Sequence, residues 1–218
     1  MNKKYNPINM SLLTKLLQYV LLTSSKNKID ESHGISHSMN VLHFANNIYK
    51  SEVLKNKYLI NQEKIIYVSA VIHDMCDKKY MNEDQGIQDI STFLHEKIEP
   101  MEIDVVKQII ATMSYSKIKK NGFPELGEYQ TAYHIVREAD LLAAYDFDRS
   151  LIYYIQQNKC DIHCAYLNSV DLFEKRVFKH KEDGLFITDY SKNNYMELQN
   201  QSNIRIKAWK KILKKPFL

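Results

Sequence analysis

Apolar side chains recur at intervals of three and four along almost the whole chain, and only five glycines and four prolines interrupt them in 218 residues. That period matches the turn of an α-helix, whereas a half-buried strand would alternate at every second residue. No alternating run persists beyond a few positions. The chain is therefore expected to be all-α, a single helical bundle of ordinary domain size over residues 1–218. The pattern predicts helices near 10–24, 33–50, 62–76, 83–98, 101–114, 128–146, 148–158, 166–181 and 191–214. The clearest breaks, KNGFPELG at 120–127 and HKEDGLF at 180–186, have neither the length nor the bias of a domain linker.

The two ends could be misread. Lys3 and Lys4 precede an apolar stretch from Met10 to Leu22, which gives the outline of a signal peptide. Lys15 and Gln18 interrupt that stretch, and Leu12, Leu13, Leu16, Leu17, Val20 and Leu21 keep a helical period, so it reads as a first helix packed on the core. No segment reaches the ~18 apolar residues of a membrane span. Near the other end, Ile206, Trp209 and Leu213 share one helical face with lysines on the others, which reads as an amphipathic helix docked on its own domain.

Charge and cysteine usage exclude further classes. The formal charge is +4, and only four of the 30 basic residues are arginines, so the basicity reflects a lysine-rich composition and not a dedicated nucleic-acid surface. Lys117, Lys119 and Lys120 likewise read as a solvated lysine cluster. Two of the arginines, Arg137 and Arg149, lie within nine residues of Asp140, where a planar fork of donors would suit phosphate. Cys76, Cys160 and Cys164 form no CxxC pair and are odd in number, which speaks against a secreted disulfide scaffold and a structural zinc site. A reducing, cytoplasmic compartment is expected.

Chemistry-bearing residues sit in apolar surroundings at three separated places. His73 and Asp74 close the run YVSAVIHD, His37 lies upstream in HGISHSMNV, and Asp140 lies downstream in READLLAAYD. Imidazole nitrogen together with carboxylate oxygen suits a divalent metal such as Mn, Fe, Co, Ni or Zn, which makes a metal-dependent hydrolase the first expectation. Each residue has an ordinary alternative. His33 and His37, one turn apart with Ser32 as N-cap, could be surface histidines. His73 could be a satisfied core histidine, and Asp140 could be paired with Arg137. His43, His95, His134, His163 and His180 fit no ligand pattern.

The order His37, His73–Asp74, Asp140 resembles the H…HD…D motif of the HD-domain metal-dependent phosphohydrolases. DESHGISH, IHDMCDKK and EADLLAAYDFDR are similar to the patterns of the bacterial and fungal HD-domain nucleoside triphosphate pyrophosphohydrolases within that superfamily, and DLFEKRVFKHKEDGLFIT and Arg205 resemble that family's C-terminal helices, so the likeness spans nearly the whole chain. It departs at Gly34, Met113 and Ala143, where relatives carry aspartate, histidine and aspartate. The resemblance implies an HD-domain helical bundle with one divalent ion on His37, His73, Asp74 and Asp140. Mn comes first, with Mg, Co, Ni, Fe or Zn as the other candidates. It implies that Asp77 serves in proton transfer, sharing the face of Asp74 if the helix continues, and that His33, Lys79 and Arg149 contact substrate. The expected reaction is cleavage of a nucleoside or deoxynucleoside triphosphate to monophosphate and pyrophosphate. The rival expectations are a nucleoside monophosphatase, a phosphodiesterase, or a non-catalytic metal- and nucleotide-binding module. The partner is a phosphorylated small molecule, with no membrane and no nucleic acid, and a homo-oligomer is compatible with this reading.

Overall fold

A computed structural model of the chain describes residues 10–214, so Lys3 and Lys4 lie outside the described residues. Within that range there are ten α-helices and no strand: α1 Met10–Asn27, α2 Ile35–Glu52, α3 Glu63–Ile72, α4 Glu83–Leu94, α5 Pro100–Thr112, α6 Tyr115–Asn121, α7 Gln130–Ala143, α8 Phe147–Gln157, α9 Ile162–Lys175 and α10 Asp189–Leu213. The all-α bundle expected from the apolar period is what the chain forms.

The core is built around α3. Every residue from Ile65 to Ile72 is buried, as a helix apolar all round requires. Helices α1, α2, α5 and α7 surround it, and the contact between α2 and α7 is the most extensive in the bundle. α8 packs against α9, and α10 crosses α2, α7, α8 and α9. On α1, Leu12, Leu16 and Val20 are buried while Leu21 and Leu22 stay exposed. On α10, Ile206 and Trp209 pack on the core, and the Trp209 indole donates to Asp148 at 2.7 Å. Among the described residues no helix is long and apolar enough to cross a membrane.

Several predicted boundaries shift for local reasons. The helix expected over 62–76 follows a 3-10 segment, Lys57–Gln62, and stops at Ile72, with the chain turning through His73 to Cys76. The one expected over 166–181 starts at Ile162, because the Asp161 side chain accepts the Cys164 N–H at 2.8 Å as an N-cap, and it ends at Lys175. The lysine cluster is also helical, on α6. There Lys117 pairs with Glu83 and Lys119 with Asp183, so neither is simply solvated. α4 lies against the turn after α3 through Gly86, where an added Cβ would come within 2.7 Å of the Cys76 Cα. Glycine is needed there for close approach.

The start of α2 differs from the expectation too. Its N-cap is Gly34, without a side-chain bond, and Ser32 and His33 lie in the turn before it. Asp30 makes that turn by accepting the Ser32 N–H at 2.9 Å. A Cβ at Gly34 would press on Glu31 at 3.2 Å and on the Asp30 carbonyl at 3.3 Å, a physical reason for glycine where the resembling family carries aspartate.

Arg137 does not answer Asp140. It is fully buried and donates to its neighbour Glu138 at 2.9 Å, and Glu138 also accepts from the Ile187 and Thr188 N–H groups and the Thr188 hydroxyl at 2.7–3.3 Å. This buried carboxylate ties α7 to the N-terminus of α10. Glu138→Ala strands a desolvated guanidinium and frees the cap, so it should lower the unfolding free energy by roughly 3–5 kcal/mol. Urea denaturation of parent and variant measures this; a loss below about 1 kcal/mol would assign the tie no structural weight.

Candidate metal centre

Three elements bring four side chains together. His37 is the third residue of α2, His73 and Asp74 follow directly on α3, and Asp140 lies three residues before the end of α7. The Nε2 of His37 stands 3.2 Å from the Nε2 of His73, 3.2 Å from Asp74 Oδ2 and 3.3 Å from Asp140 Oδ1. The Nε2 of His73 is 3.2 Å from Asp74 Oδ2 and 3.7 Å from Asp140 Oδ1. Donors held at about 2.1 Å from one ion lie roughly 3.0–3.4 Å apart when they are adjacent ligands, so this is the spacing of a coordination set. His37, His73 and Asp74 could hold a metal ion, and Asp140 adds an oxygen beside both imidazoles.

The protons support a cation at the centre. His73 Nδ1 lies 3.0 Å from the Ala70 carbonyl oxygen, which can only accept, so Nδ1 carries a hydrogen and a neutral His73 turns its Nε2 lone pair toward His37. A backbone carbonyl behind an imidazole is the usual outer support of a metal ligand. Asp74 Oδ2 is buried, and the Nε2 atoms of His37 and His73 face it at 3.2 Å. A positive charge between these atoms satisfies both groups.

In its absence a proton takes that part. Burial pushes the His73 imidazole down, but Asp74 and Asp140 more than offset this and hold it up at about 10. Burial raises Asp74 and Asp140, yet the facing imidazoles keep both carboxyls well below their ordinary range. A metal must displace the His73 proton, so its uptake near neutral pH should release a proton, and affinity should rise with pH until about 10, where the competition ends. Calorimetric titration with Mn²⁺ in buffers of different ionisation enthalpy is the measurement. Binding heats independent of buffer would rule out the displaced proton.

A polar rim lies beside the cluster. The neutral His33 imidazole, pushed down by burial to about 3, faces Lys79 Nζ at 3.0 Å through Nε2. Its Nδ1 faces the Ser32 hydroxyl at 2.6 Å and the Tyr80 hydroxyl at 2.9 Å, and Tyr80 donates onward to Asp30 at 2.8 Å. Because Lys79 can only donate, His33 carries its hydrogen on Nδ1 and the chain runs from Lys79 to Asp30. Arg149 donates to the Ser32 carbonyl and lies 3.9 Å from Asp74 Oδ2. His33 lies in the turn before α2 and not in its first helical turn, because Gly34 and not Ser32 is the N-cap. Its side chain still comes to the edge of the site.

Asp77 reaches the site by a turn and not along a helix face, since α3 has ended five residues earlier. It accepts the Lys79 N–H at 2.9 Å and lies 3.2 Å from Lys79 Nζ. It lines a cavity of about 130 Å³ with His73, Asp74 and Asp140. A second cavity, of about 210 Å³, is lined by His33, Arg149, Tyr153 and Tyr154, and Lys79 and Arg176 line both. Arg176 was not singled out from the sequence. It follows α9, within the segment DLFEKRVFKHKEDGLFIT, and its guanidinium stacks over Tyr115 at 4.3 Å. The one available signal was that arginine is scarce in this chain.

No family model matches the chain, and no curated protein matches it. Among solved structures it is similar to a protein of Lactobacillus plantarum, determined by crystallography as a structural genomics target. The two share 20% identity with a TM-score of 0.70, over 94% of this chain and 98% of that chain. The likeness extends to the fold, an all-α bundle over almost the full length of both.

Proposed function

We propose that the protein is a metal-dependent phosphohydrolase of the HD type, cleaving nucleoside or deoxynucleoside triphosphates to monophosphate and pyrophosphate. The observation that carries this reading is the convergence of His37, His73, Asp74 and Asp140 beside a cationic rim of Lys79, Arg149 and Arg176. His37, His73, Asp74 and Asp140 would hold a divalent ion, Mn first among the candidates, which when bound would supply Lewis-acid charge and acidify water.

The chain's own residues divide the remaining work. Lys79 offers a compact charge and the two arginines offer planar forks, which together suit a polyphosphate. Tyr153 and Tyr154 give the larger cavity an aromatic wall for a nucleoside. Asp77, in the smaller cavity with Asp74, holds or releases a proton for the attacking water or the leaving oxygen. His33 positions Lys79. Cytoplasmic function fits an odd count of three cysteines with no CxxC pair.

The test is a screen of metal-stripped protein, resupplied with Mn, Mg, Co, Ni or Zn, against nucleoside mono- and triphosphates with phosphate and pyrophosphate both measured. Pyrophosphate release supports the reading; phosphate alone points to a monophosphatase. Tight binding without turnover points to a binding module. In this frame Lys79→Ala should lower turnover of a triphosphate by roughly 10- to 100-fold, the scale of a charge-assisted hydrogen bond worth about 1.5–3 kcal/mol. Kinetics equal to the parent's for every active nucleotide would remove Lys79 from the substrate pocket.

A further inference from the structure

The turn between α8 and α9 brings two sulfurs together away from the metal centre. Cys160 and Cys164 are free thiols whose Sγ atoms lie 2.7 Å apart, closer than two unbonded sulfurs normally rest. Three features hold them there. Lys159 takes the left-handed conformation at φ 51°, which swings the chain back after α8, and the Cys160 N–H is caught by the Tyr154 carbonyl at 3.3 Å. Asp161 caps α9 and fixes Cys164 in its first turn. The Asn168 amide, one turn on, reaches both sulfurs at 3.6 and 3.4 Å.

We propose that Cys160 and Cys164 form a redox-active dithiol that closes to an intramolecular disulfide by exchange with a low-molecular-weight disulfide such as glutathione disulfide. Cys164 is the attacking sulfur, because it is the exposed one of the pair and a small disulfide can reach it. Its thiolate bonds to one sulfur of the small disulfide and expels the other as a thiolate, leaving a mixed disulfide. Cys160, half-buried beside it, gives its proton to solvent and attacks the Cys164 sulfur, releasing the second small thiol. Two protein thiols are oxidised by two electrons and one small disulfide is reduced to two thiols. Disulfides in a reducing compartment are characteristically reversible ones of this kind. The third cysteine, Cys76, is 3% exposed and takes no part.

The experiment incubates the reduced full chain with glutathione disulfide, blocks remaining thiols, and reads the tryptic peptide spanning residues 160–175, which holds both cysteines. The expected product is that peptide lighter by two hydrogens, unblocked, and returned to two blockable thiols by dithiothreitol, with Cys76 blocked throughout. In Cys164→Ser, Cys160 should at most carry a glutathione adduct that persists, because no neighbouring thiol can resolve it. The proposal is overturned if the parent peptide keeps two blockable thiols under excess glutathione disulfide, or accumulates stable adducts without an internal link. Neither readout depends on hydrolase activity.

Discussion

Asp74→Ala is expected to abolish stable binding of a divalent metal and, with it, hydrolysis. Asp74 Oδ2 stands 3.2 Å from the Nε2 atoms of both His37 and His73, so its loss removes the oxygen that faces both imidazoles. Removing an outer support of a metal ligand typically costs 10- to 100-fold in affinity, and removal of a ligand itself should cost more than about 100-fold. His73 also loses the carboxylate that most strongly opposes the effect of burial, so its raised pKa should fall. Metal analysis of purified parent and variant is the measurement, with thermal unfolding to show that the variant still melts cooperatively. Asp74 is half-buried at the end of α3 and is no part of the apolar core, so the fold should survive. Equal metal content in the two proteins would sink the metal centre.

Asp77→Asn should leave the metal in place and lower the turnover number by roughly 10²- to 10⁴-fold, the usual scale of a general acid or base. The substitution keeps the local structure, because the asparagine carbonyl can still accept the Lys79 N–H that makes the turn. What it removes is titration and the negative charge beside Lys79 Nζ. Near-parent turnover across the pH profile would falsify the proton-transfer role. Loss of metal together with activity would instead move Asp77 into the coordination shell, nearer the ion than its place beyond the Asp74 turn suggests.

The helical class, the apolar faces of α1 and α10 and the buried character of α3 were legible in the sequence because each depends on spacing within one helix. A period of three to four places Leu12, Leu16 and Val20 on one side whatever they pack against. The same local logic marked His73 and Asp74, since ionisable side chains at the end of an apolar helix require compensation. It could not name the compensating partner. Arg137 precedes Asp140 by three residues, yet it pairs with Glu138, because the approach of Ile187 and Thr188 makes that carboxylate the centre of a buried network. Asp77 was expected along a continuing helix and arrives by a turn; Arg176 comes from the end of α9 to the same cavity. Which charges meet in a folded chain depends on how helices cross and where they stop. Crossings are set by the packing of whole faces, while stops are set by single caps and by close approaches such as Gly86 on Cys76. The sequence by itself therefore determined the helical class, the buried faces of its strongly periodic helices and the residue types available for a metal centre. The resemblance to the H…HD…D pattern implied that His37, His73, Asp74 and Asp140 belong together, and only the tertiary structure set the 3.2–3.7 Å between them, because distances between side chains on different helices follow from packing and not from spacing along the chain.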